Sequence, residues 1–254
     1  MRAALMCVVS LLIAVNGSAQ VELTQAFETT DDFTISLPAG WHEIPKDVLE
    51  TLTSNLAQLA PQAPIQVYDY GFQLDAPPEW FQHPYILVQV RNTGRTRPSE
   101  LESMSKIERE MQRGLKETQD SWDSILSEFE LGQTLYDPVE QILWVKFSME
   151  VAEVGRVHGL TAAILTEHGA IQVHSYAPAG EFADYTPLFE AISRNVSVSE
   201  SIQYRPHFTD SIPGFGLMRS ALTWGLMGAF IAFLASIPRW LISVSKRKAS
   251  EEAE

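Results

Sequence analysis

Residues 220–238, SALTWGLMGAFIAFLASIP, run for 19 positions without a formal charge, and no other feature constrains this chain as strongly. Wound as a helix at ~1.5 Å per residue the run would reach ~28 Å, close to the ~30 Å hydrocarbon core of a bilayer. It therefore predicts a transmembrane helix, taken over residues 220–244, after a hinge at 213–219 that contains Pro213, Gly214 and Gly216. Trp224 and Trp240 lie near its ends, where indoles favour the interface, and Arg239 can extend its head to water. Arg239, Lys246, Arg247 and Lys248 place four basic residues from the end of the run onward, against Arg205 and Arg219 before it. The positive-inside rule then puts the tail, residues 245–254, in the cytoplasm. Inside the span Ala221, Gly225 and Ala229 recur every four residues, and Gly228, Ala232 and Ser236 do so on a neighbouring stripe. Two readings stay open: close packing against a second helix through Gly225, Gly228, Ala229 and Ala232, or the ordinary Gly and Ala richness of membrane helices.

The other end of the chain carries a matching signal. Arg2, an apolar run from Ala3 to Val15 and the small residues Gly17, Ser18 and Ala19 have the layout of a secretory signal peptide over residues 1–19. At 13 residues the run is too short to span a bilayer, although an uncleaved signal anchor is the alternative. Cys7, the single cysteine, falls inside this segment, so the exported part has no thiol and needs no disulfide at its size. A cysteine-free ectodomain suits a bacterial envelope. The expected location is the bacterial inner membrane, single-pass, with residues 20–212 as one globular domain outside the cytoplasm.

That domain holds 29 Asp and Glu against 12 Lys and Arg, a formal charge of −17. Nucleic acid is excluded as a partner, because phosphate binding needs a clustered positive face. Anionic headgroups are repelled as well, which suits a body held off the membrane by its tether. The partners expected are the lipid bilayer, through the helix, and a protein at the membrane; the oligomeric state is not readable.

Periodicity orders the domain. After a polar lead, residues 33–37 alternate as a half-buried strand and stop at Pro38-Ala39-Gly40. Val48, Leu49, Leu52, Leu56 and Leu59 repeat at helical spacing. Residues 65–74 and 85–91 predict two strands around a Pro-rich loop. Ser99-Glu100-Leu101-Glu102 is a capping box ahead of a second helix lined by Leu101, Met104, Ile107, Met111 and Leu115. Residues 125–176 switch to a period of two, an antiparallel meander turning at His168-Gly169, and Phe182, Tyr185, Leu188, Phe189 and Ile192 close the domain as an amphipathic helix with Pro187 in its first turns or at a break before it. The fold class is α+β: an antiparallel sheet covered by helices, an α/β/α sandwich, plus one C-terminal transmembrane helix.

The opening Phe33-Thr-Ile-Ser-Leu-Pro-Ala-Gly-Trp41, the central meander and the closing helix over 182–189 resemble the PsbP-like α/β/α sandwich domains, over residues 31–200. That resemblance implies non-catalytic binding or assembly work, including accessory roles in membrane complexes. It transfers no ligand-binding residue, and the transmembrane tail departs from its soluble members.

No chemistry announces itself. His42, His83, His158, His168, His174 and His207 are scattered without metal-ligand spacing, so no metal and no cofactor is expected. There is no nucleophile elbow, phosphate loop or dinucleotide fingerprint, and no catalytic residue is assigned. Glu100, Glu102, Glu108 and Glu110 with Lys106, Arg109 and Arg113 form a solvated helix face. The loop Pro77-Pro-Glu-Trp-Phe-Gln-His-Pro-Tyr85 is the best interaction candidate: Trp80, Phe81 and Tyr85 offer aromatic anchors, and Arg91, Arg95 and Arg97 follow as an anion site. The competing reading folds Trp80 and Phe81 back over the core and leaves the arginines to pair with the many acids. Three functions follow: a membrane-anchored extracytoplasmic binding or complex-assembly module; an extracytoplasmic hydrolase built around His158 or His174; and a scaffold acting through its transmembrane helix.

Overall fold

A computed structural model describes residues 21–59, 67–75, 80–97, 101, 108–109, 111–113, 126–151, 154–205 and 207. The elements are β1 (Gln25–Glu28), β2 (Phe33–Leu37), β3 (Trp41–Glu43), α1 (Lys46–Leu59), β4 (Tyr70–Leu74), β5 (Tyr85–Arg91), β6 (Leu126–Asp137), β7 (Ile142–Val151), β8 (Gly155–Thr166), β9 (Gly169–Pro178), α2 (Phe182–Arg194) and β10 (Ser197–Val198). The class is α+β, with mostly antiparallel sheets and few helices. Among the described residues no helix is long and apolar enough to cross a membrane. The predicted signal peptide, hinge, transmembrane helix with Gly225, Gly228, Ala229 and Ala232, and tail all lie outside the described residues.

Seven strands form one antiparallel sheet in the order β3-β4-β5-β9-β8-β7-β6, so two meanders meet where β5 pairs with β9. A three-stranded sheet, β1-β2-β10, lies apart from it. Alternation along β2 buries Phe33, Ile35 and Leu37 as the pattern predicts. β1 falls within the polar lead; its register against β2 supplies an order that its own mostly exposed residues do not encode. Gly40, at φ +88°, turns the chain into β3 after Pro38 and Ala39. In α1 the apolar spacing buries Leu49, Leu52 and Leu56, and the Pro45 carbonyl accepts from the amides of Val48 and Leu49 at 3.0 and 3.1 Å. Of the second predicted helix, the described residues 101, 108–109 and 111–113 are helical, and Leu101 and Met111 are buried. In α2, Pro187 sits inside the helix.

Two boundaries differ from expectation, each for a local reason. Of the strand predicted over 65–74, the described residues pair as β4 from Tyr70 onward. Just before it the Asp69 amide still donates to the Val88 carbonyl at 2.9 Å, while Asp69 Oδ2 takes the Val90 amide at 2.7 Å and Gln89 Nε2 donates to the Val67 carbonyl at 2.8 Å, so side chains take part where the strand begins. The β8–β9 turn is centred on Glu167-His168, because Gly169 already pairs with Thr166. Gly169 also lies under β5: a Cβ there would stand 1.8 Å from the Arg91 carbonyl oxygen. The register is therefore His174 opposite Thr161, whereas a two-residue turn at His168-Gly169 would have set it opposite Ala163, two positions along and on the same face.

Because successive residues of a strand face opposite ways, β5 shares its side chains between two layers. Tyr85 and Leu87 join α1, Phe147, Met149, Val157 and Tyr176 on one face. Leu143, Val145 and Leu165 continue that face and are covered by Leu101 and Met111. Ile86 and Val88 join Trp144, Leu160, Ile171, Val173, Phe189 and Ile192, together with the inward residues of β2, on the other.

Candidate interaction site

The aromatic loop ends at β5, and its backbone is unusually specified. Phe81 holds a positive φ of 66°, which a bulky residue adopts only when its surroundings impose it. The imposition is visible. Buried Gln73 of β4 accepts the Gln82 amide through Oε1 at 2.8 Å, and the Phe81 ring packs edge-on against Tyr85 with centroids 6.0 Å apart. Phe81 is 8% exposed and Tyr85 fully buried, so both rings point into the core under α1; Trp80 is half-buried against the same cluster. The loop thus folds back over the core at Phe81 and Tyr85.

From Tyr85 the rings continue as a ladder across the sheet. Tyr85 stacks on Tyr176 of β9 at 5.0 Å, Tyr176 meets Phe147 of β7 at 6.0 Å, and Phe147 stacks on Phe129 of β6 at 5.7 Å. β8 lies between β9 and β7, and at that rung it supplies Gly159, opposite both Tyr176 and Phe147. A Cβ on Gly159 would come within 2.1 Å of Phe147 Cζ. The Phe147 ring therefore lies over a strand that must carry glycine there.

The arginines sit at the opposite end of β5, about 20 Å from Tyr85 at ~3.3 Å per residue over the strand. The six predicted site residues therefore do not form one patch. Arg91 donates through Nη2 to Gln89 Oε1 at 2.8 Å, and burial pulls its guanidinium below the usual value against the opposing fields of Tyr68 and Asp69. Arg97 is half-buried. Arg95 is the centre of a small network. Its Nε lies 3.3 Å from both carboxylate oxygens of Glu167 in the β8–β9 turn, and its Nη2 donates to the Arg205 carbonyl at 2.6 Å. Its guanidinium also covers the Tyr204 ring, 4.4 Å from the centroid.

Glu167 completes the arrangement. Its Oε1 accepts the Arg205 amide at 2.7 Å, its Oε2 lies 3.7 Å from His207 Nε2, and its own amide donates to the Ile202 carbonyl at 2.9 Å. Burial raises the Glu167 pKa, but the Arg205 amide and the Arg95 guanidinium outweigh it and hold the carboxyl below its ordinary value. Sequence reasoning reached Arg95 and missed Glu167, Tyr204 and Arg205. No local pattern joins positions separated by 72 and 110 residues.

The histidines named for a hydrolase lie in different settings. His174 is fully buried beneath the α1 side of the sheet, with Nδ1 3.0 Å from Thr161 Oγ1 and the Tyr68 ring edge-on at 6.3 Å. Burial, reinforced by Arg91, pushes its pKa down to about 3. Around it Thr161, Gln172 and Gln89 form a buried polar seam between the two apolar clusters of that face. Among the described residues no carboxylate is hydrogen-bonded to it, so it lacks the acid that would orient a general base. His158 packs on Phe182 at 5.3 Å on the opposite face, with its pKa lowered first by burial and then by Arg156. Among the described residues no three His, Cys, Asp or Glu side chains are placed to hold a metal ion.

No family model matches the chain, and no curated protein matches it in sequence. Among solved structures it is similar to the solution structure of cyanobacterial PsbP (CyanoP) from Synechocystis sp. PCC 6803. That match has a TM-score of 0.46 and 14% identity, and covers 74% of this chain and 98% of that one. The resemblance to PsbP-like domains stated from the sequence is thus met by a solved member. The Saccharomyces cerevisiae Ran-binding protein Mog1p is a more distant likeness, with TM-score 0.33 and 13% identity, covering 68% of this chain and 87% of that one. Neither likeness assigns a role to any residue.

Proposed function

We propose that the chain is a membrane-anchored extracytoplasmic binding or complex-assembly module, with its acidic body outside the cytoplasm and its C-terminus inside. The observation that carries this reading is the course of the chain at the end of the body. Residues 202–205 and 207 are tied to the Arg95 loop and the Glu167 turn, and the uncharged run begins only 13 positions after His207. A body whose last segment is fastened down so close to a membrane-length apolar run is built to be held at a surface. The α/β/α layering, with α1 on one face of the sheet and α2 on the other, leaves the β4–β5 loop as the contact region. There half-buried Trp80 is the side chain offered to a protein partner, while Phe81 and Tyr85 secure the loop.

Topology is testable without background, because Cys7 is the only native cysteine and lies in the predicted signal. In intact cells a membrane-impermeant maleimide should label the Val139→Cys protein, whose site is 88% exposed, and leave the Ser250→Cys protein unlabelled until the membrane is opened. Equal labelling of both would defeat the topology. For the contact region, Trp80→Ser in the full-length chain should reduce recovery of a crosslinked partner at least tenfold with the thermal midpoint little changed; full recovery would remove the assignment.

A further inference from the structure

We infer that the polar seam on the α1 face of the sheet is a binding site for a small hydroxycarboxylate, held at its carboxylate by Arg91 and at its hydroxyl by His174 and Gln172. The inference goes beyond the membrane reading and does not depend on it. The register sets the lining on one face: His174 has Leu87 on one side and Thr161 on the other, Gln89 lies opposite Gln172, and Arg91 follows Gln89 by two positions along β5. His174 and Gln172 stand about 7 Å apart along β9 at ~3.3 Å per residue. Both are buried, and among the described residues His174 Nε2 and Gln172 Oε1 have no hydrogen-bond partner in the protein. The neighbouring amide is treated differently: Gln89 Nε2 donates to the Val67 carbonyl and its Oε1 accepts from Arg91, each at 2.8 Å. A buried polar atom left unpaired costs more than an apolar side chain of the same shape, so two of them side by side call for a reason other than stability.

The two atoms define what would fill the place. His174 Nδ1 lies 3.0 Å from Thr161 Oγ1; with the tautomer assigned so that the hydroxyl donates to Nδ1, the neutral ring carries its proton at Nε2. One group must then accept from Nε2–H and donate to Gln172 Oε1. A hydroxyl does both, whereas an alkyl group does neither, an ammonium cannot accept and a carboxylate cannot donate. Arg91 supplies the charge for the rest of the molecule. Its contact with Gln89 sets the guanidinium beside the strand that carries Gln172, and its planar fork suits a carboxylate. Asp69, the acid near Arg91, is already engaged by the Val90 amide at 2.7 Å. Neighbouring strands lie ~4.8 Å apart, so a hydroxyl on the carbon next to the carboxylate has the reach. Tyr68, edge-on to His174, walls the seam, while half-buried Arg91 and exposed Asn92, Thr93 and Gly94 mark the strand end open to solvent.

The test uses the full-length protein in zwitterionic detergent at neutral pH, with L-lactate and propionate as probes because they differ by one hydroxyl. Calorimetric titration should show lactate binding about tenfold tighter than propionate, the size of one well-made hydrogen bond. Lactate should also move the His174 ring signals in the NMR spectrum, assigned by their loss in the His174→Gln protein. Gln172→Leu should remove the preference for lactate while the thermal midpoint stays level or rises, and Arg91→Gln should weaken both acids alike by about tenfold. Equal affinity for the two acids overturns the hydroxyl site. Lactate binding that leaves the His174 signals in place overturns its location. An ordered water as the sole occupant would appear as no response to lactate at any concentration, and overturns the site as well. So does a midpoint lowered by Gln172→Leu, which would make the amide a structural partner. The comparison of lactate with propionate needs no substitution and decides the matter even if that variant fails to fold.

Discussion

The two faces of the seven-stranded sheet are built on different rules. Beneath α2 and the small sheet, Ile86, Val88, Trp144, Leu160, Ile171, Val173, Phe189 and Ile192 join the β2 side chains in one unbroken apolar layer. Beneath α1 the layer comes in two pieces, one carrying the aromatic ladder and the other packed on Leu101 and Met111. Gln89, Gln172, Thr161 and His174 run between them. An unbroken apolar layer gains free energy from area and tolerates exchange among similar shapes. A layer of stacked rings and buried polar groups gains less per residue but fixes positions, since each ring or donor accepts few arrangements. The difference teaches that the α2 face supplies stability, whereas the α1 face sets the places of the β4–β5 loop and of the β5 end that hold Trp80 and Arg95.

The largest expected effect tests the first half of that contrast. Phe189 is fully buried, stacked on Tyr185 at 5.9 Å and near Phe182 at 6.2 Å, inside the apolar layer. Phe189→Ala should cost about 3–5 kcal/mol of unfolding free energy, the range for large-to-small changes in closed cores. Denaturant titration should show the midpoint falling with its slope unchanged. A cost below about 1 kcal/mol would mean that this face is not the stabilising one.

Gly159 tests the second half. The methyl group added in a Gly159→Ala protein would overlap the Phe147 ring, which would have to shift against Phe129 and Tyr176, at centroid distances of 5.7 and 6.0 Å. The expected loss is about 1–3 kcal/mol, the range for overpacking. Combining it with Phe147→Leu should recover part of that loss, because the shorter side chain no longer reaches across β8. Equal losses in the single and double variants would show that the ladder does not depend on glycine.

Much of this plan was legible in the sequence because it rests on period alone. Residues 33–37, read from their alternation, and 85–91, read from their β-branched and aromatic content, became β2 and β5 with the predicted boundaries, and Leu49, Leu52 and Leu56 fell on the buried side of α1. What period could not supply came from partners distant in the chain. β1 and β10 take their order from β2, the Asp69 carboxylate takes the Val90 amide just ahead of β4, and Glu167 meets Arg95 only because the β8–β9 turn sets it beside the chain that follows β5. Gly159 was the missed signal within reach, since a glycine interrupting an apolar strand pattern marks a close approach. Tyr85 shows the opposite failure: aromatics in a loop suggest recognition, yet the register carries this ring into a stack on Tyr176.

At neutral pH His174 carries the smallest effect, and its titration tests the seam directly. In the folded protein its pKa is near 3, and in the unfolded chain it returns to about 6.5, so the folded state binds fewer protons between those values. The sign follows: the stability His174 leaves intact is fully present above pH 6.5 and declines as pH falls through the window from 6.5 toward 3, by about 1.4 kcal/mol per pH unit. His83, pushed down to about 4 by burial, adds a second decline over a narrower window. Replacing His174 by Gln keeps a polar side chain opposite Thr161 and removes the titration. Unfolding free energy plotted against pH should then lose one proton's worth of slope between pH 6 and 4, while His83→Gln should remove slope only above about pH 4. If the His174→Gln protein keeps the full acid dependence, the imidazole is reached by water and the seam is open. In that case the α1 face would owe its order to the aromatic ladder alone.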